Sequence, residues 1–248
     1  MAINSRGLRG PEPVDDGQPR VLLLGSSITL GWGVAEENTL RARLETALGG
    51  RVHVLNAGIG NYNSVRYVTL FERQLMDLKP AVVVVQYFLR DAEDLPVEDG
   101  NALLEHSMLA ALGYHALVNA VQGSPGVDAL VSHYRAVYDP ASPGRVAMEQ
   151  ALDRLDQLSR TAGFKVVLAM TPDIHQLEKY PFEAEHAQMQ ALAKRHGWTY
   201  VDFLPGLKTV ASKDLYAIPG DPHPNATGHR IMAEALTPTI QHLLHAVP

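Results

Sequence analysis

Two stretches near opposite ends of the chain carry hydroxyl, imidazole and carboxylate groups at spacings that permit nucleophilic and acid–base chemistry. The first is "VLLLGSSITLGWGV", Val21–Val34, where an apolar run ends on Ser26 and Ser27 and then passes Gly31 and Gly33. A strand that stops on Gly-Ser-Ser puts a hydroxyl at the carboxyl edge of a sheet, on a turn whose backbone N–H groups can face a developing oxyanion. The same turn also suits a phosphate grip or a purely structural role, because it is neither G-x-G-x-x-G nor a P-loop and lacks the Gly-x-Ser-x-Gly elbow. The second stretch is "GDPHPNATGHRIMAEAL", Gly220–Leu236, with Asp221 two residues before His223 in a Pro-rich loop. An acid and an imidazole on one rigid loop form the base-and-orienter half of a triad: the carboxylate fixes the tautomer and the ring accepts a serine proton. The histidines show no His-x-x-x-His spacing with a third ligand, and "HPNATGH" sets two of them six apart across a loop–helix boundary. That spacing suits no shared metal, so neither a metal nor a cofactor is expected.

The elements that must position these groups are read from hydrophobic patterning. Short apolar runs bounded by turn residues at Val21–Gly25, Val52–Asn56, Ala81–Gln86, Phe164–Met170 and Thr199–Phe203 predict five strands buried on both faces. Helical periods occupy Thr39–Leu48, Ser64–Leu78, Val146–Ala162, Glu183–His196 and Ala226–His245. This βαβα alternation predicts a three-layer α/β/α fold around a five-stranded parallel sheet. The 248 residues suit one domain, with a Gly/Pro-rich leader over residues 1–20 and a helical insertion over residues 92–144. The insertion is either an extra helical pair packed on the body or a lid over the strand ends, with Asp99–Val121 as the lid segment.

Composition narrows the function classes. A net charge of −6 with no run of Lys and Arg removes nucleic acid as an expected partner. The absence of cysteine removes disulfides, thiolate metal sites and a cysteine nucleophile. No run reaches the ~20 apolar residues of a bilayer span, and the first 20 residues carry no apolar signal core. The chain as it stands is expected to be soluble. Its compartment stays open between the cytoplasm and, if an export segment precedes it, the far side of the membrane; the oligomeric state is open too.

Four blocks in order then resemble the SGNH (GDSL-like) hydrolase superfamily. "GSSITLG" resembles its first block, Gly-Asp-Ser-x-Thr-x-Gly; "LNAGIGNYNS", Leu55–Ser64, its second; "VVVVQYFLRDAED", Val82–Asp94, its third; and "GDPHPN" its last, Asp-x-x-His-Pro-Asn. The leader "INSRGLRGPE" is also similar to segments that precede the first block in some bacterial members. The resemblance implies a flavodoxin-like sheet and a serine nucleophile, and places Ser27 at that position with Ser26 where the family usually has Asp. It implies His223 as base, Asp221 as its acid, and Gly58, Asn61 and Arg90 on the oxyanion and substrate side.

The departures from the pattern are specific. The second-block glycine falls on Asn61, which keeps a backbone donor and adds a side-chain one. The third-block asparagine, an oxyanion donor in the family, is replaced by Arg90. Three readings of Arg90 follow: an oxyanion donor, an anchor for a substrate anion, or a structural partner of Asp91, Glu93 or Asp94. The acid spacing is Asp-x-His, with Gly220 at the usual Asp position and Asp214 as the fallback acid. His229 and His175 are expected to pack or lie at the surface, His175 with the further option of lining the pocket. Tyr62, Tyr87 and Phe88 are expected in the pocket wall or core.

The expected function is a serine esterase that cleaves a small O-acyl ester of a carbohydrate, lipid or metabolite through an acyl-enzyme. An acyltransferase using the same site is the alternative, and a binding protein that keeps the body without turnover is a further one.

Overall fold

The structure is a computed structural model and describes residues 1–95 and 127–245. The proposed lid segment Asp99–Val121 lies outside the described residues. The five expected strands are present as β1 Arg20–Gly25, β2 His53–Gly58, β3 Val82–Phe88, β4 Lys165–Thr171 and β5 Thr199–Asp202. They pair in parallel in the order β2-β1-β3-β4-β5. Continuous apolar runs dictate this arrangement, since a strand such as "VVVVQYF" has no polar face to offer water and every residue of β3 is buried.

Among the described residues the α-helices are α1 Ser27–Leu30, α2 Leu40–Ala47, α3 Ser64–Leu70, α4 Val127–Val137, α5 Pro143–Ala162, α6 Glu183–His196, α7 Leu204–Leu207 and α8 Ala226–His245. Helices α3 and α5 pack together on one face of the sheet, where α6 joins α5 through Arg145–Gln188 and Arg195–Glu149; α2 and α8 pack together on the other face. The period expected to run as one helix from Ser64 to Leu78 does so only to Leu70. It then widens into a π turn at Phe71–Leu75 and tightens into a 3₁₀ turn at Met76–Leu78. Phe71 and Leu75 are both in the core. The described part of the insertion includes α4 and the first turn of α5, which starts at Pro143, three residues earlier than the pattern suggested.

With this order, the chain leaves β1 and β3 toward opposite faces, so a crevice opens at their carboxyl ends. Two glycines let a helix sit in it. A Cβ on Gly58 would lie 2.2 Å from the backbone nitrogen of Leu30, and one on Gly25 would lie 2.1 Å from the Thr29 hydroxyl oxygen. Helix α1 therefore rests directly on the ends of β1 and β2.

Gly58→Ala is accordingly expected to push α1 outward. Overpacking of this kind costs ~1–3 kcal/mol, or a fall of about 3–10 °C in Tm for a chain of this size. Gly60→Ala is the control, because a Cβ there meets nothing within 4 Å. Thermal unfolding of the two variants checks the difference.

Candidate active site

Ser27 is the first residue of α1, two positions beyond the end of β1. The helix is one turn long, so its carbonyls need partners that the helix itself does not supply. Asn56 on β2 donates through Nδ2 to the Thr29 carbonyl at 2.8 Å. Arg9 supplies the rest: Nη1 donates to the Leu30 and Gly31 carbonyls at 2.7 and 2.6 Å, and Nη2 to the Val34 carbonyl at 2.6 Å. Its Nε donates to Glu36 at 2.8 Å, and the residue is only 3% exposed. The leader is thus part of the site's scaffold, tied to β2 by the Arg9 N–H, which donates to the Asn56 carbonyl at 3.0 Å.

His223 arrives from the loop between α7 and α8. Asn225 ends that loop as the N-cap of α8. Its Oδ1 accepts from the Thr227 and Gly228 N–H groups at 2.9 and 3.2 Å, and its Nδ2 donates to the Asp214 carbonyl at 2.8 Å. The imidazole Nε2 lies 2.7 Å from Ser27 Oγ, across 196 residues of chain. The Nδ1 atom is in hydrogen-bond contact with Asp221 Oδ1, which also accepts the His223 backbone N–H at 2.9 Å. Ser27, His223 and Asp221 are brought together in line. Asp214 offers Asn225 only its backbone carbonyl.

The cleft beside Ser27 is lined in part by Asn61, Tyr62, Phe88, Arg90 and His175, and its walls leave about 150 Å³. Asn61 stands there in a left-handed conformation, φ 59°, which favours glycine and which asparagine tolerates best among the larger residues. The backbone there takes a shape that a glycine would also adopt readily. Gly58 takes a different place: its N–H donates to Asn56 Oδ1 at 2.9 Å and it lies beneath α1, outside the cleft wall. Ser26 is buried at the cleft edge, and Tyr87 lies in the core with its hydroxyl 2.7 Å from that of Tyr138.

Arg90 reaches the cleft rim but is half exposed, and its Nε donates to Glu93 Oε2 at 2.9 Å. Glu93 in turn contacts His133 through its other oxygen at 2.9 Å. Among the three acids that neighbour Arg90 in sequence, the ion pair is made with Glu93. Asp91 is fully buried, accepting the Phe88 N–H on Oδ2 at 3.2 Å. Burial pushes its carboxyl well above the usual carboxylate range. His229 is a packing residue: its Nδ1 accepts the Leu40 N–H at 3.0 Å, and burial pushes its pKa down to about 3. His175 does line the cleft. The anchoring roles of Arg9 and Asn56 were not found from sequence, because nothing in the leader says which of its arginines turns inward or which carbonyls it meets.

The family profile of GDSL-like lipases/acylhydrolases matches residues 23–231. The chain belongs to the GDSL-like lipase/acylhydrolase family. It is therefore an esterase in reaction class. Solved structures agree on the fold. A member of the lipolytic protein G-D-S-L family from Veillonella parvula is 15% identical, with a TM-score of 0.55 over 90% of this chain and 98% of that one. The acetyl xylan esterase AlAXEase is 18% identical, with a TM-score of 0.54 over 89% of this chain and 99% of that one. A two-domain esterase (CEX) active on acetylated mannans, co-crystallized with mannopentaose, is 15% identical, with a TM-score of 0.57 over 91% of this chain and 50% of that one. By sequence, no curated protein matches. Among the described residues, no helix is long and apolar enough to cross a membrane, and no cluster of three or more His, Asp or Glu side chains is arranged to hold a metal.

Two outcomes follow from this esterase's rim. An exposed ion pair contributes ~0.2–1 kcal/mol, whereas loss of an oxyanion donor costs ~10²–10³ in rate. Arg90→Asn is therefore expected to leave Tm within a few degrees and kcat on a neutral acetyl ester within about tenfold, read by thermal unfolding and steady-state kinetics. For Asp91, the folded chain retains a proton that the unfolded chain releases near pH ~3.9. Its contribution is fully favourable below that pH and is lost as pH rises toward the raised folded value. Asp91→Asn keeps the acceptor for Phe88, so its urea midpoint should gain on the wild type as pH rises above about 4. Parallel profiles would mean that Asp91 is ionised in the fold.

Proposed function

We propose that this esterase cleaves a small O-acyl ester through an acyl-enzyme formed on Ser27. The observation that carries the reading is the hydrogen-bonded line from Asp221 through His223 to Ser27 Oγ at 2.7 Å. Asp221 accepts from Nδ1–H, which leaves the Nε2 lone pair toward the serine. As Oγ attacks the acyl carbon, its proton passes to Nε2 and the carbonyl oxygen becomes an oxyanion. The Ser27 backbone N–H and the donors of Asn61 are the groups assigned to it. Collapse breaks the ester C–O bond, and the imidazolium returns the proton to the leaving alcohol. Water then repeats the sequence on the acyl-enzyme, giving up a proton to Nε2 and releasing the acid and free Ser27.

A cleft of about 150 Å³ suits an acetyl-sized acyl group. The fold shared with an acetyl xylan esterase and with an esterase active on acetylated mannans favours an O-acetylated carbohydrate as the substrate class. The assembled proton path also favours turnover over a body kept only for binding.

The test uses a fluorophosphonate probe together with p-nitrophenyl acetate hydrolysis. Ser27→Ala is expected to abolish both labelling and hydrolysis, a loss of ~10⁴-fold or more, while Ser26→Ala keeps most of each. Retained turnover in Ser27→Ala would refute the assignment.

A further inference from the structure

Asp173, Ile174 and His175, at the carboxyl end of β4, repeat the Asp-x-His pattern of Asp221, Pro222 and His223. The local geometry repeats too. In each arm the histidine backbone N–H donates to the acid's Oδ1 at 2.9 Å, and the ring Nδ1 contacts that same oxygen, at 2.8 Å for His175. The arms differ at Nε2. In His223 it meets the Ser27 hydroxyl; in His175 it lies 3.2 Å from the backbone carbonyl of Gly220, the residue immediately before Asp221.

We infer that His175 is a positioning residue of this esterase: oriented by Asp173, it holds the Gly220–Asp221 peptide and so sets where Asp221 and His223 stand. The inference rests on the reading of His223 as the base. Its support is where the loop is otherwise held. Among the described residues, the other hydrogen bonds within the tip Ile218–Pro222 are local, from the Asp221 N–H to the Ile218 carbonyl at 3.0 Å and from His223 to the Asp221 carboxylate, while the base of the loop is closed by the Ala217 N–H, which donates to the His223 carbonyl at 2.9 Å. Gly220 is in a left-handed conformation, φ 79°, with nothing within 4 Å of where its Cβ would be, so packing does not fix it. The His175 ring also lies 5.9 Å, centroid to centroid, from that of Tyr216 on the same loop.

The strap is itself anchored. The Asp173 N–H donates to the Tyr180 hydroxyl at 3.3 Å, that hydroxyl lies 2.7 Å from His186 Nε2, and His186 Nδ1 lies 2.9 Å from Asp202 at the end of β5. Asp173 is almost wholly buried. A carbonyl oxygen only accepts, so His175 Nε2 carries a proton, and the Asp173 carboxylate accepts a hydrogen bond from a second on Nδ1. Hydrogen bonding to Asp173 accordingly raises the His175 pKa. A ring that donates at both ends bridges β4 to the catalytic loop as a rigid strut.

The test compares three variants of His175 in the full chain, with p-nitrophenyl acetate as substrate. His175→Phe keeps the ring and removes both donors; kcat is expected to fall about ten- to a hundredfold, with KM little changed, as for a catalytic group displaced by ~1 Å. His175→Gln places an amide N–H near the Nε2 position and should restore kcat to within about threefold of wild type. His175→Glu has the same length but only accepts, so it should behave like the Phe variant. A Phe variant with wild-type kcat, or a Gln variant as impaired as the Glu one, overturns the inference. Should the Phe variant not fold, the Gln and Glu pair still decides. Ser27→Ala, run alongside, separates the two readings. Turnover there overturns the triad and the strap together, whereas an inactive Ser27→Ala beside a fully active His175→Phe overturns the strap alone.

Discussion

A hydrogen bond between side chains 196 residues apart cannot be held by the two residues that make it. Its net worth is about 1 kcal/mol, far too little to order two loops. The contact between Ser27 and His223 is therefore a consequence of backbones fixed elsewhere. On the serine side, the fixing surface is the buried centre of the sheet, where β1 lies between β2 and β3 and the missing Cβ atoms of Gly25 and Gly58 let α1 seat against the strand ends. On the histidine side, it is Asn225, which caps α8 while tying the loop back to Asp214.

The buried guanidinium of Arg9 shows what this fixing demands. A charge taken out of water is costly unless its donors are paired, and here three carbonyls and Glu36 take four of the five N–H groups. In return, the one-turn helix that carries Ser27 has its last carbonyls satisfied without further turns that would carry the chain across the cleft. Glu36 is shared with Arg41 at 2.9 Å, so the charge of the leader is balanced by groups that also start α2.

Much of this was legible in sequence where one local rule decides. Five apolar runs bounded by turns became five strands because no competing periodicity exists within them. Asp221 and His223 share a loop because Pro222 and Pro224 stiffen the two-residue spacing. Asn61 was readable as a glycine substitute, and its positive φ shows why that substitution is tolerated. What stayed illegible depends on tertiary phase. Arg90 has three acids within four residues, and only the turn that follows β3 decides that Glu93 faces it while Asp91 turns inward to the Phe88 N–H. Arg9 meets Leu30 and Val34 across a gap that no pattern in the leader announces. The Asp-x-His repeat at Asp173 and His175 was visible as residues, yet its meaning lies in a carbonyl 45 positions away.

The two Asp-x-His arms also show how one short motif acquires opposite proton inventories. In both, the acid accepts a hydrogen bond from Nδ1–H, so the partner of Nε2 decides the rest. A hydroxyl both donates and accepts, so in the proposed triad the Nε2 atom of His223 can face Ser27 with its lone pair. A peptide carbonyl only accepts, which obliges His175 to keep the proton it has. On the proposed reading, one edge of the sheet holds an imidazole whose Nε2 faces a hydroxyl beside one whose Nε2 faces a carbonyl. In the triad we propose, that difference, set by what each ring faces, leaves the serine proton to His223.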